Sequence, residues 1–98
     1  MNVSKALQRI RFEKGLKQQD VAKKAKISQT YLSQLETGGK KEPSQSVLKK
    51  LCKIYDVPPI VVAWYAMEDS DIQPKKKSSF LKLKPTLDAL ISELIKIM

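Results

Sequence analysis

The sequence predicts an all-α protein, with five short helices in one domain followed by an appended C-terminal amphipathic helix. Apolar residues recur every three or four positions in several segments, which is the period of one face of an α-helix. Gly and Pro residues fall between these segments, and no stretch alternates apolar and polar residues as a half-buried strand does. We therefore expect a domain over residues 1–69, a polar linker over residues 70–84 and the appended helix over residues 85–98.

The first helix is predicted over residues 3–14. Its apolar residues lie at helical spacing and are Val3, Ala6, Leu7 and Ile10. Gly15 follows and suits a left-handed C-terminal cap, because glycine adopts positive φ without strain. Arg11 lies beside the apolar stripe rather than opposite to it.

Two short helices joined by a tight turn are predicted over residues 18–37. The second of them begins after Ser28, whose hydroxyl can accept a free backbone N–H of the first turn. Ile27 precedes this cap and can pack back on the helix that it introduces. Leu32 and Leu35 supply the apolar positions that point inward.

The outward face of this second helix then carries polar residues without charge. They are Gln29, Thr30, Ser33, Gln34 and Thr37. A solvated helix face normally carries Lys and Glu, whereas side chains that donate and accept hydrogen bonds suit the edges of bases. Gln in particular matches the N6/N7 edge of adenine. The alternative interpretation is a polar surface that happens to lack charge.

The fourth and fifth helices follow a loop over residues 38–43. Ser44 can cap the fourth helix, and Pro59 is acceptable in the first turn of the fifth. The fourth helix has a regular apolar stripe, formed by Val47, Leu48, Leu51, Ile54 and Tyr55. Residues 60–67 are apolar on nearly every face and need cover on more than one side. The C-terminal segment or a second subunit could provide that cover.

The appended helix has the clearest amphipathic pattern of the chain. Its stripe consists of Leu87, Leu90, Ile91, Leu94, Ile95 and Met98. A stripe of this kind is a packing surface. It could fold back on its own domain, pair with its copy in a homodimer or receive another protein.

Charge and composition narrow the function. The net charge is +9, and residues 1–43 hold ten Lys and Arg against four Asp and Glu, as expected of a segment that approaches phosphates. With Cys52 as the single cysteine and no histidine, neither a Cys/His zinc site nor a histidine-based triad can form, so we expect no catalytic residues, no metal and no cofactor. No signal peptide is evident, and the longest apolar run is shorter than the ~20 residues of a membrane span. We expect a cytoplasmic protein without a membrane partner.

Residues 16–51, and more loosely residues 3–67, resemble the Cro/phage-repressor (Xre-like) helix-turn-helix family. The residues that carry the resemblance are Ile10-Arg11, Lys14-Gly15-Leu16, Gln18, Val21-Ala22, Ile27-Ser28-Gln29, Tyr31-Leu32-Ser33-Gln34-Leu35-Glu36, Gly38 and Pro43-Ser44. The resemblance implies a lambda-repressor-like five-helix domain with the helix from Gln29 in the major groove of DNA.

The resemblance also implies roles for individual residues. Base reading falls to Gln29, Thr30, Ser33 and Gln34. Phosphate binding falls to Gln18, Gly39, Lys40 and Lys41. Arg11 and Glu36 match a pair that forms across the domain, and we expect a structural salt bridge between them.

The sequence departs from the family pattern at three places. Lys26 occupies a turn position where glycine is frequent, so a left-handed conformation there carries strain. Lys17 stands where a Ser or Thr cap is common, which predicts a weakly capped second helix. The loop before Pro43 is one residue longer than usual, which leaves open which of Gly39, Lys40 and Lys41 reaches phosphate.

The leading hypothesis is a sequence-specific transcriptional regulator, a repressor, that binds double-stranded DNA as a homodimer. Dimerisation is expected because one module contacts few bases and a two-fold pair reads two half-sites. The expected interface combines the fifth helix and the appended helix through Trp64, Leu87, Leu90, Ile91, Leu94 and Ile95. The alternative is an antitoxin or adaptor protein whose C-terminal helix binds a protein partner, with DNA binding secondary.

Overall fold

The computed structural model describes residues 1–38 and 42–98, and these residues form an all-α fold without strands. The helices are α1 (Val3–Glu13), α2 (Gln18–Ala25), α3 (Gln29–Glu36), α4 (Gln45–Tyr55), α5 (Pro59–Ala66) and α6 (Lys77–Ile97). Two short 3₁₀ turns, Asp69–Asp71 and Pro74–Lys76, lie between α5 and α6. The all-α fold class is confirmed. The roles predicted for Gly39, Lys40 and Lys41 lie outside the described residues.

Helix α1 is the centre of the fold, because α3, α5 and α6 all pack against it. Leu7 and Ile10 of α1 are fully buried, and they meet Leu35 of α3 and Leu51 of α4 in one continuous core. Helix α2 packs between α3 and α4. The first five helices therefore share a single core, which holds α2 and α3 in a fixed relation.

Local chain signals end and begin these helices as predicted. The hydroxyl of Ser28 accepts the backbone N–H of Tyr31 at 3.0 Å, and that of Ser44 accepts the N–H of Val47 at 3.3 Å. Gly15 has a φ of +67° and ends α1. Lys17 provides no side-chain cap for α2. Each of these features depends only on neighbours within a few residues, which is why the sequence reveals them.

The last helix is longer than predicted. Helix α6 begins at Lys77 and continues through Pro85, whereas the sequence placed a linker over residues 70–84 and a helix start at Pro85. Proline disfavours a helical conformation in the preceding residue, so a helix start at Pro85 is the local expectation. Contacts with α5 override it: the ring of Phe80 packs edge-on against Trp64, and the ammonium of Lys84 lies 5.0 Å from the centre of the Trp64 ring.

Helix α6 folds back on its own domain by only part of its apolar surface. Ile95 is fully buried in the core and Ile91 packs against it. Leu87, Leu90 and Leu94 remain exposed. The six-residue stripe of the sequence analysis is thus divided between two faces of the helix. None of the helices in the described residues is long and apolar enough to cross a membrane.

Candidate nucleic-acid interface

The turn between α2 and α3 fixes the angle at which the two helices meet. Lys26 adopts the left-handed conformation, with φ +58°, that the sequence marked as strained. The N–H of Ile27 returns to the carbonyl of Ala22 at 3.0 Å and closes the end of α2. Val21, Ala22 and Ala25 are buried. Since two of these three side chains are alanines, α2 can approach its neighbours closely.

The polar residues predicted on α3 lie together on its outward face. Gln29, Thr30 and Gln34 are exposed, and Ser33 is half-buried. Together with Gln18 of α2, these four residues line a shallow cleft of about 330 Å³. Thr37, the fifth member of the predicted set, donates its hydroxyl to the carbonyl of Ser33 at 2.9 Å, so this donor is used within the helix.

A buried ion pair supports α3 from below. Arg11 of α1 donates from Nε to one carboxylate oxygen of Glu36 at 2.7 Å and from Nη2 to the other at 2.9 Å. The Glu36 side chain is fully buried and that of Arg11 nearly so. A third donor of Arg11, Nη1, bonds to the carbonyl of Leu16 at 2.8 Å. The hydrogen bonds that Arg11 donates to Glu36 raise the pKa of Arg11, so the guanidinium stays charged.

Gln18 belongs to the same network, which the sequence did not reveal. Its Nε2 donates to Glu36 Oε1 at 3.0 Å. A carboxylate only accepts hydrogen bonds, so this contact orients the NH₂ group of Gln18 towards Glu36 and leaves one N–H available. The predicted structural residues and a predicted phosphate-binding residue are therefore physically connected. No short-range signal marks this contact, because Gln18 and Glu36 are 18 residues apart.

Exposed lysines lie on α2 and at its two ends. Lys17, Lys23, Lys24 and Lys26 are exposed, and none of these four lysines forms a salt bridge within residues 1–38 and 42–98. Acidic groups on this side are Asp20 in the first turn of α2 and the buried, paired Glu36. An uncharged face on α3, with exposed lysines on the neighbouring α2, suits a nucleic acid: the uncharged face can contact bases and the lysines can contact phosphates.

The remaining predicted site residues lie elsewhere in the fold. Trp64 on α5 is half-buried, and its indole N–H donates to Asp88 of α6 at 2.7 Å. The α6 residues of the predicted interface are divided as described above. In the part of the chain that the structure describes, no cluster of three or more His, Cys, Asp or Glu residues could hold a metal ion.

Comparison with known families decides the class of this site. A family model described as Helix-turn-helix matches residues 7–62, more than half of the chain. The chain belongs to this helix-turn-helix family, which is of the Cro/C1 type. No curated protein and no solved structure matches it.

Membership of this family establishes the general class of function of the protein. The matched span contains α2, the turn and α3, together with both members of the Arg11–Glu36 ion pair. The family consists of DNA-binding regulators that bind double-stranded DNA. The protein is therefore a DNA-binding regulator.

Proposed function

We propose that this protein is a sequence-specific transcriptional repressor that inserts α3 into the major groove of its operator. The observation that carries the proposal is the outward face of α3, which is polar and uncharged, with Gln29, Thr30 and Gln34 exposed on it. A surface that served only to attract phosphates would carry the positive charge itself. Neutral groups that both donate and accept, such as the amide of Gln, can distinguish one base pair from another.

Gln29 and Gln34 are the proposed main base readers. Both are exposed, and their long side chains carry an amide that can bond to adenine through two hydrogen bonds at once. Thr30 and Ser33 have shorter side chains, and Ser33 is half-buried, so we assign them to closer bases or to water-mediated contacts.

Phosphate contacts are proposed for the start of α2 and for the loop that precedes Pro43. Because Glu36 accepts only one N–H of the Gln18 amide, the second N–H can donate to a phosphate oxygen. The backbone N–H groups at the start of α2 add further donors. Gly39, Lys40 and Lys41 keep their proposed role in phosphate binding.

We propose further that the protein acts in the cytoplasm as a homodimer and performs no chemistry. One copy of α3 reaches only a few base pairs, and a two-fold pair reads two half-sites about 34–36 Å apart. Occupying an operator that overlaps a promoter is sufficient to repress transcription. A reporter gene under such an operator should lose expression when the protein is present.

The test is selection of bound duplexes from a random library, at low and at high salt. The wild-type protein should enrich a two-fold motif, and the double variant Gln29→Ala/Gln34→Ala should lose that motif while keeping salt-dependent binding to all duplexes. Gln73→Ala provides the matched control, because this glutamine is exposed but lies before α6, far along the chain from the cleft. Binding that is equal for all sequences, for both wild type and double variant, would contradict base reading by α3.

A second candidate function is favoured by the exposed leucines of α6. In an antitoxin or adaptor protein these leucines would receive another protein, and DNA binding would be secondary. Such a protein should remain monomeric, or have a disordered C-terminal segment, until its partner binds. A protein that is dimeric without any partner would exclude this alternative.

A further inference from the structure

Helix α6 carries a row of large apolar side chains that remain exposed. Leu83, Leu87, Leu90, Leu94 and Ile97 lie on it, and we call these five residues the outer stripe. They are between 38% and 81% exposed. Most of the large exposed apolar residues of the described chain lie on α6, whereas Phe12 on α1 and Ile60 on α5 are isolated.

The spacing of the outer stripe suits pairing with another helix. The five residues follow each other at intervals of four, three, four and three positions, which is an average of 3.5. This is the period of the seam between two helices that wind around each other, with side chains of one packing between four side chains of the other. A helix of similar pattern is therefore the best partner for the stripe, which extends about 21 Å along α6.

The opposite surface of α6 explains why the stripe remains outside. The side chains that face the domain include Lys84, Asp88 and Ser92. Asp88 accepts hydrogen bonds from Trp64 Nε1 at 2.7 Å and from Arg9 Nη1 at 3.3 Å, and Ser92 donates to Glu13 at 3.0 Å. These directional contacts fix the rotation of α6 about its own axis. They also order the helix beforehand, so that pairing does not have to form it.

The charge of the stripe favours a second copy of the chain over a membrane surface, and the other helices of the same chain do not cover it. Residues 83–97 contain two Lys, one Asp and one Glu, and so carry no net charge, in a chain of net charge +9. Two copies of so basic a chain approach each other most easily at such a neutral surface. An anionic membrane is disfavoured, because a helix that binds one carries Lys and Arg along its polar face. Within the described residues, α1 to α5 bury their own apolar faces and none offers a second stripe.

We propose that the outer stripe pairs with the outer stripe of a second copy of this chain. The proposal deepens the homodimer of the proposed function, but it stands on the exposure and spacing of α6 and not on DNA binding. It also changes the predicted interface: Leu87, Leu90 and Leu94 stay in it, Leu83 and Ile97 join it, and Trp64, Ile91 and Ile95 leave it. These last three residues hold α6 on its own domain.

The pairing is self-complementary, because each copy offers the same surface to the other. Two heptads form a short seam, at the small end of stable protein interfaces. We therefore expect a dimer that dissociates on dilution and that a DNA with two half-sites tightens by holding both copies together.

Sedimentation velocity without DNA, over a wide range of protein concentrations, tests this pairing. The wild type should change from monomer to dimer within that range. The variant Leu90→Asp/Leu94→Asp places four charges in the paired seam and should raise the dissociation constant at least about 100-fold. Ile60→Asp is the matched control, since it also places a charge on an exposed apolar residue but lies on α5, and it should dimerise as the wild type does.

Two results would overturn the proposal. One is a wild type that stays monomeric at every concentration, and the other is a double variant that dimerises like the wild type. Fluorescence of Trp64, which contacts Phe80 and Asp88, reports whether α6 is still docked in each variant. If the aspartates undock it, Leu90→Ala/Leu94→Ala replaces them with the same expected loss of dimer. Half-site DNA binding is measured separately, so failure of pairing and failure of base reading are distinguished.

Discussion

Helices α3 and α6 are both amphipathic, but they are oriented in opposite ways. Helix α3 buries Leu32 and Leu35 and presents uncharged polar side chains outward. Helix α6 docks on the domain through Ile91 and Ile95 together with the hydrogen-bonded Asp88, and leaves its leucines outside. The orientation of α3 is the one that the hydrophobic effect favours in a single chain, whereas that of α6 is not.

The protein thus has two different exposed surfaces, the polar face of α3 and the leucines of α6. An outward polar face is stable in water and can exchange its water for base edges. An outward row of leucines is unfavourable in water until something apolar covers it. We therefore assign sequence reading to α3 and self-association to α6.

The largest effect on stability is expected for the buried ion pair between Arg11 of α1 and Glu36 of α3. Arg11→Ala leaves the carboxylate of Glu36 buried without its partner, which should lower the free energy of unfolding by about 3–5 kcal/mol. Lys96→Ala removes an exposed pair with Glu93 and should change it by less than about 0.5 kcal/mol. Urea denaturation followed by circular dichroism measures both. Equal losses would mean that the buried pair does not hold α3.

The next effect separates the two faces of α6. Ile95→Ala empties a fully buried site and should cost about 2–4 kcal/mol of stability, at a protein concentration low enough to keep the chain monomeric. Leu90→Ala in the outer stripe should cost less than about 0.5 kcal/mol under the same conditions. The same unfolding measurement serves for both variants. A larger loss at Leu90 than at Ile95 would show that α6 docks by its other face.

Base reading by α3 should give a smaller but selective effect. Gln29→Ala should weaken binding to the selected duplex by about 1–3 kcal/mol and leave binding to random duplex nearly unchanged. Fluorescence anisotropy with labelled duplexes at fixed salt measures both affinities. If binding to all duplexes weakened equally, Gln29 would be contacting the backbone rather than bases.

The smallest effect is expected at the turn that joins α2 to α3. Lys26 has a φ of +58°, which glycine adopts without steric strain, so Lys26→Gly should stabilise the protein by about 0.5–1 kcal/mol. In the middle of α4, by contrast, Lys50→Gly should destabilise it by about 1 kcal/mol. Thermal unfolding compares the two. A destabilised Lys26→Gly variant would show that the lysine side chain contributes more than its backbone strain removes.

The sequence predicts well what is decided locally. Ser28, Ser44 and Gly15 act within one helical turn, so their residue types were sufficient to place three helix ends. The outward set on α3 followed from the positions of Leu32 and Leu35. These short-range patterns were enough to place α1 to α5.

Contacts between distant segments decided what the sequence left open. Helix α6 passes through Pro85 because Phe80 and Lys84 pack against Trp64, more than fifteen residues earlier in the chain. The apolar residues of α6 span too wide an arc to tell which of them face the domain. The hydrogen bonds of Asp88 settle that choice, and no helical period encodes them.

The most direct test of these separate roles of α3 and α6 measures DNA affinity for two proteins, the wild type and Leu90→Asp/Leu94→Asp. Each protein is titrated against one duplex with a single selected half-site and one duplex with two. The account predicts that both proteins bind the single half-site equally, with the same dependence on Gln29. It also predicts that the variant loses about 100-fold or more in affinity for the two-site duplex, because its two copies no longer hold each other. Equal binding of the two proteins to the two-site duplex, or loss of half-site binding by a folded variant, would contradict it.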